Sequence, residues 1–258
     1  MSDFKNSRKG VMEYRLWRTK RMEKVVARIG SIINFRNKTV LDVGCGFGSL
    51  TSLVATRGTR ETAGLDMDDN KIRTAKNLDT EGLIKWIRAD ATHLPFTDDY
   101  FDVILMVDMI EHAAAPGKII RECCRVLKQG GYLYVELTPY YSVVGHHLYD
   151  ATVLLIHFLP ERWMNAIIHR FISPDVYQSR EYLNKLRIKD WRRAVRGLVT
   201  VREWWELAHP EYGEIGLPVK IEFLTTRFAG LYQKPTAASG SSEFLEFPDG
   251  HGKAKAYF

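Results

Sequence analysis

Short β-type runs alternate with helical segments between residues 39 and 138, and this alternation limits the fold more than any other feature. Five apolar runs occur there: TVLDV, ETAGLD, IKWIRAD, FDVILMVD and YLYVELT. Because parallel strands are joined by long crossover connections, the pattern predicts a mostly parallel sheet with helices on both faces. We therefore expect an α/β fold whose ligand binds at the carboxyl ends of the strands.

The helices around these strands are predicted from periodicity and capping residues. Residues 14–33 carry apolar side chains at three- and four-residue steps, which indicates a helix before the first strand. Residues 50–57 and 68–78 are predicted helices, the second opened by acidic capping residues. Residues 118–127 form another, ended by KQGG, in which a glycine can adopt the left-handed cap conformation.

The composition is that of a soluble globular protein, since 45% of the 258 residues are hydrophobic and 26% are charged. The net charge of +6 leaves binding to nucleic acid or to an anionic membrane open, beside the simpler interpretation of a solvated basic surface. Three cysteines without zinc-site spacing fit a reducing, cytoplasmic location. We expect no signal peptide, no membrane-spanning helix and no metal.

Three glycines follow the first strand directly, in the stretch VLDVGCGFGSL. Gly44, Gly46 and Gly48 would let the main chain approach a ligand closely. Asp66 ends the second strand about twenty residues later, where a carboxylate can accept hydrogen bonds from both hydroxyls of a ribose. The loop and the acid together predict a nucleotide-type cofactor, either a dinucleotide or S-adenosyl-L-methionine (SAM).

Further residues favour SAM over a dinucleotide. Ser49 stands where the dinucleotide pattern needs its third glycine. Asp42, two residues before Gly44, would repel a pyrophosphate but would suit the cationic amino group of SAM. The third strand ends in RADATHLPF, where Asp90 can accept from an adenine amino group and Ala91 can donate its main-chain N–H.

The stretches VLDVGCGFGSL, GLDMD, RADATHLPF, YFDVILMVDMIEH and RVLKQGGYLYVE resemble the successive motifs of class I SAM-dependent methyltransferases. The most similar subgroup is methyltransferase type 11, typified by ubiquinone and menaquinone biosynthesis methyltransferases. The resemblance covers residues 40–138 closely and 225–234 loosely. It implies a Rossmann-like, seven-stranded, mostly parallel sheet with an antiparallel last strand, a helical insertion after the fifth strand, and S-adenosyl-L-homocysteine as product.

The resemblance also implies which residues bind the cofactor. Cys45 would act through its main chain, Met67 would pack against adenine, and Asp108, at the end of the fourth strand, would lie near the methionine part of SAM. The complete predicted cofactor set is Asp42, Gly44, Cys45, Gly46, Gly48, Asp66, Met67, Asp90, Ala91 and Asp108.

Residues after the fourth and fifth strands are candidates for the acceptor side. His112 would serve as a base or acceptor contact, or would only orient the adjoining loop. The stretch TPYYSVVGHHLYD offers rings, hydroxyls and imidazoles, with a packed lid as the alternative interpretation. His146 and His147 are its candidate catalytic bases, and the predicted acceptor contacts are Tyr140, Tyr141, His147 and Tyr149.

The chain is predicted to divide into five parts. They are a basic helical N-terminal segment (1–38), a SAM-binding core (39–138), a helical acceptor-side insertion or lid (139–217), strands that complete the sheet (218–234) and a flexible tail (235–258).

We therefore expect a cytoplasmic enzyme that transfers a methyl group from SAM to an oxygen or carbon of a small-molecule or lipid-like acceptor. The apolar, aromatic segment 151–171 suggests an acceptor with a hydrophobic portion. Residues 186–198 form a basic amphipathic helix, for which a solvated face, an anionic substrate and a membrane surface remain alternatives.

Two other functions stay open. The basic residues before position 22 allow an RNA or protein methyltransferase, although the fourth strand lacks the Asn/Asp-Pro-Pro-aromatic motif of exocyclic-amine methyltransferases, so nucleic acid is not favoured. A SAM-binding protein without catalysis is the second alternative. The sequence indicates neither the acceptor nor the oligomeric state.

Overall fold

The computed structural model describes residues 8–139, 162–163, 166, 187–209, 213–216, 220, 225 and 227–236. The chain divides into two compact units. The first comprises Met1–Val107, Arg121–Tyr134 and Gln233–Gly240, and the second comprises Asp108–Ile120, Val135–Tyr232 and Ser241–Phe258.

The first unit is built on the strands β1 (Thr39–Val43), β2 (Glu61–Asp66), β3 (Ile84–Arg88), β4 (Phe101–Val107) and most of β5 (Leu127–Leu137). Their order in the sheet is β3-β2-β1-β4-β5. β1 pairs in parallel with both β2 and β4, and β2 pairs in parallel with β3. All five residues of β1 are buried, as expected for a central strand covered on both faces. The strand order reverses between β1 and β4, so the crevice at their carboxyl ends is the expected ligand position.

Three helices connect these strands, and each begins within two residues of its predicted start. They are α2 (Ser49–Ala55), α3 (Asp69–Leu78) and α4 (Pro116–Val126). The N-terminal helix α1 (Arg8–Gly30) begins six residues earlier than predicted. The predicted acidic cap of α3 is confirmed, because the Asp68 side chain accepts from the N–H groups of Asn70 and Lys71. α1 buries Met22 and Ile29 in the core of the first unit.

The KQGG stretch has a different role from the predicted helix cap. α4 already ends at Val126, and Gly130, with φ of 73°, lies inside β5. The Gly130 N–H donates to the Lys234 carbonyl, and the Lys234 N–H donates to the Gly131 carbonyl. The prediction was wrong because these glycines pair with the returning chain, so their carbonyl and N–H groups are used in a strand ladder.

The second unit holds the end of β5 and, in the order β5-β8-β6-β7, the strands β6 (Val199–His209), β7 (Gly213–Gly216) and β8 (Arg227–Gln233). β6 and β7 are antiparallel. A helix, α5 (Ile188–Ala194), precedes β6. Its buried Trp191 donates from Nε1 to the hydroxyl of Tyr232 at 2.8 Å, which ties the helix to β8.

The prediction of a largely helical segment over 139–217 was wrong for β6 and β7. On β6, Val199 and Val201 are exposed while Trp205, on the same face, is buried. Glu203 between them and the adjacent Trp204 interrupt the period-two pattern by which a half-buried strand is recognised. Burial of the Trp205 ring edge-on against Phe228, with ring centroids 5.3 Å apart, depends on a partner far along the chain.

The predicted α/β class with a Rossmann-like, mostly parallel sheet is confirmed. Among the described residues there are eight strands, because the short β7 adds an antiparallel neighbour to β6. In the same described part of the chain, no helix combines the length and the apolar character needed to cross a bilayer.

Candidate cofactor site

The glycine loop between β1 and α2 has a conformation that only glycine adopts without strain. Gly44, Gly46 and Gly48 have φ values of 75°, 56° and 78°. The N–H groups of Gly44 and Cys45 donate to the Leu65 carbonyl at 2.7 and 3.0 Å. The loop is therefore held against the end of β2, with its remaining main-chain groups near the carboxyl edge of the sheet.

Trp86 on β3 packs beneath this loop, and sequence reasoning missed it. A Cβ added to Gly48 would overlap the Trp86 ring, and one added to Gly64 would lie 2.7 Å from Trp86 Cζ3. The Trp86 Nε1 donates to Asp79 at 3.0 Å, which orients the ring. The available signal was a large aromatic residue on a strand next to the glycine-bearing β2.

Asp66, at the end of β2, shapes the loop and still offers acceptor positions. Its side-chain oxygens accept from the N–H groups of Gly46 and Asp68, each at 2.9 Å. A carboxylate oxygen has two lone pairs, so each oxygen retains one acceptor position. The residue is only 8% exposed, and a neighbouring diol would meet a preorganised acceptor.

Asp42 lies on β1 and is 3% exposed. Its Oδ2 accepts from the Thr51 hydroxyl of α2 at 2.6 Å. Burial raises the pKa of Asp42 to about 6, with Asp66 acting in the same direction, while the Thr51 hydrogen bond and the charge of Arg18 act against the rise. A buried acid of this kind attracts a cation, whose arrival would favour the ionised form.

Cys45 contributes its main chain to the loop. Burial raises the pKa of the Cys45 thiol far above its usual range, and the negative charges of Asp42 and Asp66 raise it further. The thiol therefore stays protonated and is a poor nucleophile.

Three further predicted residues follow β2 and β3 at the same edge of the first unit. Met67 comes directly after β2 and is 53% exposed. Asp90 is exposed and its Oδ1 accepts from the Thr92 N–H at 2.8 Å, so its carboxylate stabilises the turn after β3. Ala91 is half-buried within that turn.

The comparisons with known proteins agree with this geometry. A family model described as a methyltransferase domain matches residues 41–135, from β1 into β5. The phthiotriol/phenolphthiotriol dimycocerosates methyltransferase 1 of Mycobacterium ulcerans is 30% identical over 192 residues, which cover 72% of this chain and 70% of that protein.

The chain belongs to the class I SAM-dependent methyltransferases.

Other relatives of this methyltransferase family are similar over shorter parts or in fold. The ubiquinone biosynthesis O-methyltransferase of Nitrosomonas europaea is 36% identical over 103 residues, covering 38% of this chain. The chain thus spans only 42% of that relative's length. A SAM-dependent methyltransferase structure from Thermotoga maritima has a TM-score of 0.59 at 17% identity, covering 91% of this chain and all of that one. SAM is accordingly the family's cofactor.

In this family member α1 packs against the glycine loop. The predicted boundary at residue 38 had separated this helix from the SAM-binding core. The rings of Tyr14 and Phe47 meet edge-on with centroids 6.0 Å apart. Arg15 Nη2 donates to Ser52 Oγ at 3.0 Å, and Arg18 Nη2 donates to the Val107 carbonyl at 3.4 Å. The sequence shows the aromatic and basic residues of this helix but not the surface that they contact.

The second unit contains the remaining predicted site residues that the structure describes. Asp108 follows β4 with φ of 52°, and its N–H donates to the Glu136 carbonyl at 3.0 Å. A left-handed aspartate is uncommon and marks a sharp change of chain direction. His112 is exposed at the end of a 3₁₀ turn, Ile110–His112.

The acceptor-side candidates Tyr140, Tyr141, His146, His147 and Tyr149 lie outside the described residues and stay predictions. Among the residues that are described, no group of His, Cys, Asp and Glu side chains is arranged to hold a metal ion.

Proposed function

We propose that this chain transfers the methyl group of SAM to an oxygen or carbon of a small-molecule or lipid-like acceptor. The observation that carries the proposal is the meeting of the left-handed glycine loop with the buried Asp42 and Asp66 at the carboxyl edge of β1 and β2. Such an edge, beside the switch in strand order, is where α/β folds bind nucleotide-type ligands.

Each cofactor residue has a role that fits its surroundings. Asp66 would accept from the ribose hydroxyls through the acceptor positions that Gly46 and Asp68 leave available. The loop from Gly44 to Gly48 would admit the methionine part, and Asp42 would supply the negative charge that suits its ammonium group.

The adenine would lie near the turn after β3. Asp90 would accept from its amino group, Ala91 would donate its N–H, and the exposed side chain of Met67 would pack against the ring. Asp108 would lie near the methionine part.

The protein's share of the reaction is alignment. SAM supplies an already activated methyl donor, so holding the acceptor atom in line with the methyl–sulfur bond provides much of the acceleration. A base is needed only where the acceptor must lose a proton. His112, His146 and His147 are the candidates for that step.

The names of the relatives support a lipid-like acceptor. One is named for phthiotriol dimycocerosates and another for ubiquinone biosynthesis. The apolar segment 151–171, most of which lies outside the described residues, fits an acceptor with a hydrophobic portion. A cytoplasmic location is part of the same proposal.

The RNA or protein methyltransferase alternative is weakened by the position of α1. Arg15 and Arg18, two of the basic residues that suggested it, donate hydrogen bonds to Ser52 and Val107 within the first unit. They are therefore engaged with α2 and with the end of β4.

Calorimetric titration with SAM and S-adenosyl-L-homocysteine tests the site, using Asp66→Asn and the matched variant Asp69→Asn at the start of α3. Loss of charged hydrogen bonds costs about 1.5–3 kcal/mol, so Asp66→Asn should weaken SAM binding by at least about tenfold. Asp69→Asn should leave the affinity unchanged, because Asp69 pairs with Arg73 on the helix surface.

Radiolabelled SAM with lipid and small-molecule fractions of a cell extract then tests the reaction. Methyl incorporation into an organic-soluble product is expected. Incorporation only into RNA or protein would overturn the proposed acceptor class, and SAM binding without any incorporation would favour the non-catalytic alternative. Absence of SAM binding by the unmodified chain would overturn the proposal altogether.

A further inference from the structure

A cavity whose lining includes none of the predicted cofactor residues lies within the second unit beside α5 and β6. Its volume is about 520 Å³. Five of the side chains that line it are cationic, and the indole of Trp205 forms part of its wall. The cations are Lys189, Arg192, Arg193, Arg196 and Lys220.

Arg192 is held in place by the protein itself. Its Nε donates to Glu203 Oε1 at 2.9 Å, its Nη2 forms a second, short contact with Oε2, and its guanidinium lies 5.2 Å from the centroid of the Trp205 ring. The pairing holds the pKa of Glu203 below its usual value although burial acts in the opposite direction. Arg192 therefore already neutralises the Glu203 carboxylate. The Nζ of Lys220 lies 3.9 Å from Glu203 Oε2.

Three other cations have no such partner. Lys189, Arg193 and Arg196 are exposed, and none forms an ion pair with a carboxylate of the residues that the structure describes. Their spacing of four and three residues places them along one side of α5 and the turn that follows it. Like charges at this spacing repel each other, so the cluster is stabilised when an anion is present.

Exposed aliphatic side chains continue the same face of the unit. Val199 and Val201 are 54% and 40% exposed. Because alternate residues of a strand share a face, both valines lie on the side of β6 that carries Glu203 and Trp205. Two apolar side chains in contact with solvent therefore lie on the same strand face as Trp205 of the cavity wall.

We propose that this surface, which we call the α5–β6 groove, binds the phosphodiester headgroups of anionic phospholipids and docks the protein on a membrane surface. Guanidinium groups match phosphate oxygens with paired donors. Basic residues beside exposed apolar side chains are typical of surfaces that lie in the headgroup region. A free phosphate or a nucleic acid would engage the cations but would leave both valines in water.

The proposal goes beyond methyl transfer, since every residue of the groove lies outside the predicted cofactor set. It gives the membrane alternative of the basic helix 186–198 a defined position. The docked protein would then meet a lipid-like acceptor at the membrane in which that acceptor is dissolved.

Flotation with vesicles tests the groove in the full chain. We expect binding to vesicles of phosphatidylcholine with phosphatidylglycerol, little binding to phosphatidylcholine alone, and loss of binding as salt is raised. Each basic residue contributes about fivefold to such binding, so Arg193→Glu with Arg196→Glu should reduce the partition coefficient by more than about tenfold.

Matched variants separate the groove from general charge. Arg57→Glu with Arg60→Glu changes the net charge equally at exposed positions of the first unit and should reduce binding much less. Val199→Ser with Val201→Ser should weaken vesicle binding without changing the affinity for inorganic phosphate. SAM affinity, measured in parallel, should stay unchanged in all three variants.

Three outcomes would overturn the proposal. They are equal loss of vesicle binding in the two arginine pairs, binding of inorganic phosphate or a single-stranded oligonucleotide with no binding to anionic vesicles, and no effect of Arg193→Glu with Arg196→Glu on a variant that retains its melting temperature.

Discussion

A carboxylate buried in the middle of a parallel sheet is unfavourable unless a cation accompanies it, and Asp42 is in this position. Thr51 donates to it and Arg18 lies close enough to influence its charge, yet burial still dominates. Asp66, in contrast, has each oxygen bonded to a main-chain N–H. At the scale of single residues, the two acids at this edge differ in how completely the protein itself satisfies them.

The raised pKa of Asp42 predicts a particular pH dependence. Between the unfolded value of 3.8 and about 6, the folded state binds more protons than the unfolded state, so stability falls as pH rises through this window. Asp42→Asn should remove the fall and, above pH 6, stabilise the ligand-free protein by up to about 3 kcal/mol. Urea unfolding at several pH values measures the difference.

The same residue should give the opposite trend in binding. SAM affinity should rise between pH 5 and 7 in the unmodified chain, since the ionised carboxylate attracts the ammonium group, and Asp42→Asn should weaken binding and flatten the profile. A parallel rise in Asp42→Asn would show that another group titrates.

Gly48 provides a second test at this scale. Its φ of 78° and the adjacent Trp86 ring leave no room for a methyl group, so Gly48→Ala should destabilise the chain by about 1–3 kcal/mol. Gly30→Ala is the control, because a Cβ there meets nothing within 4 Å. It should be neutral or stabilising by thermal melting. Equal effects of the two substitutions would contradict the assigned loop geometry.

At the scale of elements, α1 and α2 act together on the cofactor loop. α1 contributes Tyr14 against Phe47 and Arg15 to Ser52, while α2 contributes Thr51 to Asp42. The N-terminal helix is therefore part of the first unit's site. Its sequence alone showed a basic amphipathic helix and gave no sign of which surface it would cover.

Arg15→Ala should loosen this arrangement without unfolding the sheet. Loss of the hydrogen bond to Ser52 should speed amide hydrogen exchange at the start of α2 and weaken SAM binding a few-fold, consistent with a net hydrogen-bond contribution of about 1 kcal/mol. Lys20→Ala, at an exposed position of the same helix, is the control. Unchanged exchange in Arg15→Ala would show that α1 does not restrain the loop.

At the scale of the whole molecule, cofactor binding should appear as stability. At SAM concentrations about one hundred times Kd, binding adds about 2.7 kcal/mol, which corresponds to a rise in melting temperature of about 5–10 °C for a chain of this size. Asp66→Asn should show a smaller rise at the same concentration. A comparable rise with NAD and none with SAM would restore the dinucleotide alternative.

Short-range sequence patterns predicted much of the fold. The strands β1, β2 and β4 and the cap at Asp68 were predictable because buried apolar runs and capping residues are encoded within a few neighbouring positions. β6 was not predicted, since Glu203 and the adjacent Trp204 interrupt its period-two pattern and its Trp205–Phe228 contact joins residues far apart in the chain. The role of Gly130 was missed for the same reason, because its partner is Lys234.

The sequence by itself determined the α/β class, the family and the candidate cofactor residues, because ordered motifs at strand ends must meet at one edge of a parallel sheet. Only the tertiary structure decided that Trp86 supports the loop, that α1 covers it, and that Lys189, Arg193, Arg196 and Lys220 line one cavity. These contacts join residues far apart in the chain, and their existence depends on how the elements pack together.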